Sequence, residues 1–133
     1  MHARARPFAV SAALLLALAT AIGALGAHLL RAHLASDRYE ILQTAVHYQF
    51  FHALGLLGLS VLLDRMPSGT LSAAAWLVLA GVLLFSGSLY ALVADAPRWL
   101  GVLTPLGGLS LIGGWCLAAL GLRAVVHPSP DAR

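Results

Sequence analysis

The thirteen charged side chains of this 133-residue chain fall into five short clusters: Arg4 and Arg6; Arg31, Asp37, Arg38 and Glu40; Asp64 and Arg65; Asp95 and Arg98; and Arg123, Asp131 and Arg133. Four uncharged runs lie between them. At about 1.5 Å per residue, each can cross a hydrocarbon core of roughly 30 Å as a helix. Hydrocarbon leaves backbone N–H and C=O groups no external partner, so a chain that crosses it repeatedly in runs of this length must close its hydrogen bonds within helices. The pattern predicts an all-α integral membrane protein: a four-transmembrane-helix bundle in one domain, with spans over about 7–30, 44–63, 71–94 and 99–122 and a short polar tail over 123–133. The connections are too short for a soluble domain, and no internal repeat is visible.

The rest of the composition narrows the function classes. Only 10% of the residues are charged, against about a quarter in soluble domains. The net charge of +3 comes from dispersed arginines that form no stripe able to track a phosphate backbone, which argues against nucleic acid as a partner. Cys116 is the single cysteine and cannot form an intramolecular disulfide. The first span has a rival reading as a cleaved signal peptide, with Ala19-Thr20-Ala21 as the site. Its uncharged run is longer than the 7–15 apolar residues of such peptides, which favours a retained span. An even number of spans places both termini on one side. Arginines near the span ends number five on that side (Arg4, Arg6, Arg65, Arg123, Arg133) against three opposite (Arg31, Arg38, Arg98), so both termini are expected in the cytoplasm.

Span two carries most of the hydrogen-bonding side chains expected at membrane depth. A helical rotation of about 100° per residue puts Tyr48 and His52 on one face with Gln49 close by, while Gln43 and His47 share another. Polar groups facing lipid would be unpaired, so Tyr48, Gln49 and His52 are expected to face inward, toward His28 and the serines of span three, as one layer. Ala19, Gly23 and Ala27 form a small-residue stripe on span one, and Gly55 and Gly58 are contact points on span two. The segment 29–42 reads as a short amphipathic surface helix, with Ser36 or Asp37 capping a helix that starts near Arg38. In span three Ser86 and Tyr90 share a face, Gly87 opens a contact, and each serine can bond its own helix four residues back. Trp99 suits the interface. Pro105, in Thr104-Pro105-Leu106-Gly107-Gly108, predicts a kink or break in span four. Gly113, Gly114 and Ala118 continue a packing face.

Little here suggests reaction chemistry. His47 and His52 diverge around the helix, His28 could join them only through tertiary packing, and no carboxylate lies within a span, so no metal, haem or other cofactor is expected. Ser86 or Ser88 with His52 lacks an orienting acid, which argues against an enzyme. Coupled transport usually marks itself with a carboxylate or lysine in the membrane. A histidine relay through His28 and His52 would be the substitute, and a pathway would require an oligomer. The leading reading is a non-enzymatic structural or accessory component, partnered by the lipid bilayer and by a membrane protein or a second copy of itself. The alternative is an oligomeric channel or transporter for a small solute or proton.

Four local patterns, taken in order, resemble one family: Gly23-Ala24-Leu25-Gly26-Ala27-His28; Gln43-Thr44 with Tyr48-Gln49 and His52; Leu84-Phe85-Ser86-Gly87-Ser88-Leu89-Tyr90; and Thr104-Pro105-Leu106-Gly107-Gly108 with Gly114-Trp115. Their order and spacing over roughly residues 10–122 are similar to the domain-of-unknown-function 423 family of small bacterial membrane proteins, the YgdD/YwdK type, with transmembrane protein 256 as an animal relative. The resemblance implies four spans in the bacterial inner membrane and supplies no catalytic residues. His28, Tyr48, Gln49, His52, Ser86, Tyr90 and Thr104 match the family's polar pattern and are the candidate binding residues. Leu25 departs from an expected aromatic, and His47 stands at a position that varies among relatives.

Overall fold

The computed structural model describes residues 4–126; the rest of the polar tail, with Pro128, Ser129, Pro130 and Arg133, lies outside them. Four long helices follow one another: α1 (Arg6–His28), α2 (Ser36–Arg65), α3 (Gly69–Val93) and α4 (Leu103–Val126), with short 3-10 turns at Leu30–Ala32 and Arg98–Val102. All four are long and apolar enough to cross a membrane.

The helix ends follow local chemistry, in two places against expectation. Pro7 sits in the first turn of α1, where an N–H would have no intrahelical partner. Ser68 caps α3 by accepting from the Leu71 N–H. The segment before α2 holds only a three-residue 3-10 turn, and α2 starts at Ser36, with Ala35 at the cap and no side-chain capping bond. Neither Ser36 nor Asp37 caps the helix, and no separate amphipathic surface helix forms. Nor does Pro105 break span four. The 3-10 turn passes directly into α4 at Leu103, so Pro105 falls in the first α-helical turn and costs no hydrogen bond.

The turn between α3 and α4 is tied to the start of α2. Asp95 has a φ of 61°, a left-handed conformation that aspartate tolerates better than most residues. Its carboxylate takes both terminal nitrogens of Arg38, Nη1 to Oδ2 at 2.8 Å and Nη2 to Oδ1. That hydrogen-bonded pairing holds the Asp95 carboxyl below the ordinary carboxylate range. A depressed folded-state pKa stabilises above the unfolded carboxylate pKa and is lost as pH falls through the folded value. Asp95→Asn is therefore expected to lower the melting temperature slightly at neutral pH and low salt. The difference from wild type should close at acid pH and shrink in high salt, because the pair is exposed. A difference unchanged by either titration would show that the pair contributes nothing.

Helices α2 and α3 form the central pair, α1 packs chiefly on α2, and α4 packs chiefly on α3. The core is lined by Phe8, Ala12 and Leu15 of α1, Leu56, Leu59 and Leu63 of α2, Leu71, Ala75, Val78 and Val82 of α3, and Leu111 and Ala118 of α4. Outside it the bundle remains apolar, with Leu14, Phe51, Leu83, Leu109 and Ile112 all exposed. Such a rim suits hydrocarbon and not water. This is an all-α integral membrane protein with four spanning helices.

Small residues set the closest approaches. The face of α4 toward α3 runs Gly107, Leu111, Gly114, Ala118 and Gly121, all buried. A Cβ on Gly107 would fall on the backbone of Phe85, and one on Gly114 would lie 2.9 Å from Val78 Cγ2. Other glycines do not pack as expected. A Cβ added to Gly58, Gly87 or Gly113 would meet nothing within 4 Å. On α1 the stripe keeps Ala19 and Gly23 but turns to Gly26, which packs on Leu42, while Ala27 is exposed.

Candidate functional site

The polar side chains expected to form one layer are divided among several places. Gln49 is the inward one, 2% exposed, and its Nε2 donates to the Leu15 carbonyl of α1 at 2.8 Å. That carbonyl has a second lone pair for its own helix. Ser86 is equally buried and donates to the Ala45 carbonyl of α2 at 2.9 Å. Here the expectation of a bond back into its own helix is corrected, because Ser86 joins α3 to α2. Ser88 does bond within its own turn, to the Phe85 carbonyl at 2.9 Å, and shares a 2.7 Å hydrogen bond with Thr104 of α4. The Tyr90 hydroxyl is enclosed and has no hydrogen-bond partner among the described residues.

The remaining candidates turn away from this interior. His28 ends α1 in an exposed position and does not meet span two's polar residues. Tyr48 is 44% exposed and stacks on Phe85 with ring centroids 4.3 Å apart. His52 is half-buried and faces α4, where its Nδ1 accepts the indole N–H of Trp115 at 2.9 Å. The single inward layer is thus corrected: α2 is rotated so that Gln49 points at α1, and Tyr48 and His52 line its α4-facing edge.

Two participants are not among the candidate residues expected from sequence, although Trp115 belongs to the fourth local pattern. Trp115 closes the α2–α4 edge, and Ser110 donates to the Leu77 carbonyl at 2.8 Å across α3–α4. An apolar run reveals that an indole or hydroxyl is present but not which carbonyl or imidazole it will meet.

Around His52 the α2, α3 and α4 surfaces leave an open cavity of about 300 Å³, lined by Tyr48, His52, Phe85, Gly108, Leu111, Ile112 and Trp115. A second apolar recess begins on the other side of Trp115, between Gly55 and Gly58 of α2 and Ala118 and Ala119 of α4. No three His, Cys, Asp or Glu side chains converge to hold a metal among the described residues.

The family model for proteins of unknown function DUF423 matches residues 22–108. The chain is 41% identical over 101 residues to UPF0382 membrane protein YwdK of Bacillus subtilis, covering 75% of this chain and 82% of that protein. It is 40% identical over 114 residues to UPF0382 membrane protein SH2409 of Staphylococcus haemolyticus, covering 83% and 89%. With UPF0382 inner membrane protein YgdD of Escherichia coli K12 it shares 39% over 101 residues, covering 76% and 77%. No solved structure matches the chain. The matched segment runs from the last third of α1 through the polar α2 to the glycine-lined start of the α3–α4 contact, and on that ground the chain belongs to the DUF423 family of membrane proteins.

Proposed function

We propose that the protein is a non-enzymatic accessory component of the bacterial inner membrane, with its polar span residues serving chiefly to lock helices together. One observation carries the reading. Gln49, Ser86, Ser88, Thr104 and Ser110 are each engaged in a bond that joins neighbouring helices. Such bonds contribute around 0.6–2 kcal/mol apiece in membranes. Gln49→Leu and Ser86→Ala should therefore each lower the stability of the purified protein by about that amount. Wild-type protein in liposomes with an internal pH dye should give no proton flux above empty liposomes. A flux that Gln49→Leu or His52→Gln removes from a still-folded protein would replace this reading with the channel alternative.

Inner-membrane placement is supported by the Escherichia coli relative's name, and cytoplasmic termini by the arginine distribution. The start of α1, the end of α4 and the α2–α3 turn share one end of the antiparallel bundle. A cysteine placed before Arg4 in a Cys116→Ser background should be labelled by an impermeant maleimide only after the membrane is opened. Labelling in intact cells would reverse the topology.

A further inference from the structure

The hydrogen bond between Trp115 and His52 fixes more than a helix contact. An indole N–H can only donate, so His52 Nδ1 must be the acceptor, and the neutral imidazole carries its proton on Nε2. That Nε2–H has no partner among the described residues and is not enclosed. His52 lines the cavity, whose other walls include the stacked rings of Tyr48 and Phe85 and the indole of Trp115 beside the aliphatic Leu111 and Ile112. A free donor among flat aromatic walls selects a planar ring bearing a carbonyl oxygen.

Depth narrows the ligand further. His52 lies eleven residues from each end of the uncharged run 41–63 of α2, about 16 Å from either end. Phospholipid ester carbonyls, held near the headgroups, do not reach it. A lipid that dissolves in the middle of the bilayer does. The second recess lies past Trp115, whose ring packs over Gly55; beyond it a Cβ on Gly58 would meet nothing within 4 Å, which leaves room for an apolar tail. We propose that this cavity binds an isoprenoid quinone, the ring against Tyr48, Phe85 and Trp115, one ring carbonyl accepting from His52 Nε2, and the tail in the glycine-lined recess. The proposal concerns binding alone and goes beyond the accessory role, which stands or falls on the interhelical bonds.

The test uses the full chain in phosphatidylcholine nanodiscs with Trp76→Phe and Trp99→Phe, so that Trp115 is the reporting fluorophore, and decylubiquinone as the probe. Quenching should saturate, and decylbenzene, which has the tail and a ring but no carbonyl, should not compete. His52→Phe keeps a ring and removes the donor, and should weaken binding at least fivefold. Gly108→Leu fills the cavity and leaves the His52–Trp115 bond in place; a Cβ there meets only Phe85 ring atoms at 3.8 Å and beyond, so the variant should fold and lose saturable quenching. Should His52→Phe fail to fold, Gly108→Leu decides. Linear quenching, or saturable quenching equal in wild type and Gly108→Leu, overturns the site. Equal competition by decylbenzene, or unchanged affinity in folded His52→Phe, overturns the assignment of a carbonyl-bearing ring.

Discussion

Gly107→Ala should destabilise the bundle by about 1–3 kcal/mol, the usual cost of overpacking a close contact. The added methyl would meet the backbone of Phe85, including its Cα at 2.8 Å, and a backbone cannot rotate aside as a side-chain tip can. Helix α4 would have to move off α3, loosening Gly81 against Leu111 and Gly114 against Val78 along the same seam. The opposing term is helix propensity, which favours alanine by roughly 0.5–1 kcal/mol. Gly113 isolates that term. Six residues further along α4, it has open space at its Cβ position, so Gly113→Ala should be neutral or slightly stabilising. Thermal melting or denaturant titration in one detergent would compare the two directly. If Gly107→Ala melts at or above the wild-type temperature, the α3–α4 seam is looser than its geometry requires.

That pair of glycines also shows how far sequence carries in a membrane protein. That there are four spans is readable because charge must leave hydrocarbon; of their ends, Arg6–His28 and Gly69–Val93 come within two residues of 7–30 and 71–94, whereas Ser36–Arg65 begins eight residues before 44–63. The fourth span is legible in extent but not in form, since Pro105 is an N-terminal residue of α4 and not a break within it. Rotation about each helix axis is much harder to read. In a soluble helix the apolar stripe faces the core, whereas here lipid and core are both apolar and hydrophobicity does not say which face is inside. Gly107 and Gly113 are indistinguishable by composition, and only the partner helix separates them.

The same ambiguity explains the polar residues. Tyr48, Gln49 and His52 are neighbours on the α2 surface, and demanding partners for all three suggests a common inward face. Gln49 satisfies that demand with the Leu15 carbonyl. Tyr48 and His52 sit about a quarter turn away, where stacking on Phe85 and the Trp115 indole provide for them at the edge. Backbone carbonyls such as those of Leu15, Ala45 and Leu77 are present at every residue, so sequence cannot reveal which one a side chain will use. His28 groups with the others through its place in the family pattern, and its exposed position at the end of α1 separates it from them.

His52→Leu is expected to cost about 1–3 kcal/mol, because it leaves the Trp115 N–H without an acceptor in an apolar setting. His52→Gln offers an amide oxygen in its place and should cost distinctly less. The difference between the two variants must come from the indole if the 2.9 Å bond is its source. In a Trp115→Phe background no donor remains, and leucine and glutamine at position 52 should become nearly equivalent. A double-mutant cycle over His52→Leu and Trp115→Phe should return a coupling of about 0.6–1.7 kcal/mol, the range of interhelical hydrogen bonds in membranes. Additive effects would reduce the contact to simple ring packing. Gly55 supplies an independent route to the same point, since a Cβ there would press on the Trp115 ring. Gly55→Ala displaces the indole while leaving both bonding partners chemically intact, so combined with His52→Leu it should also fall short of additivity. Agreement between a variant that removes the donor and one that only moves it would tie the α2–α4 closure to the hydrogen bond itself, and not to the volume of the indole.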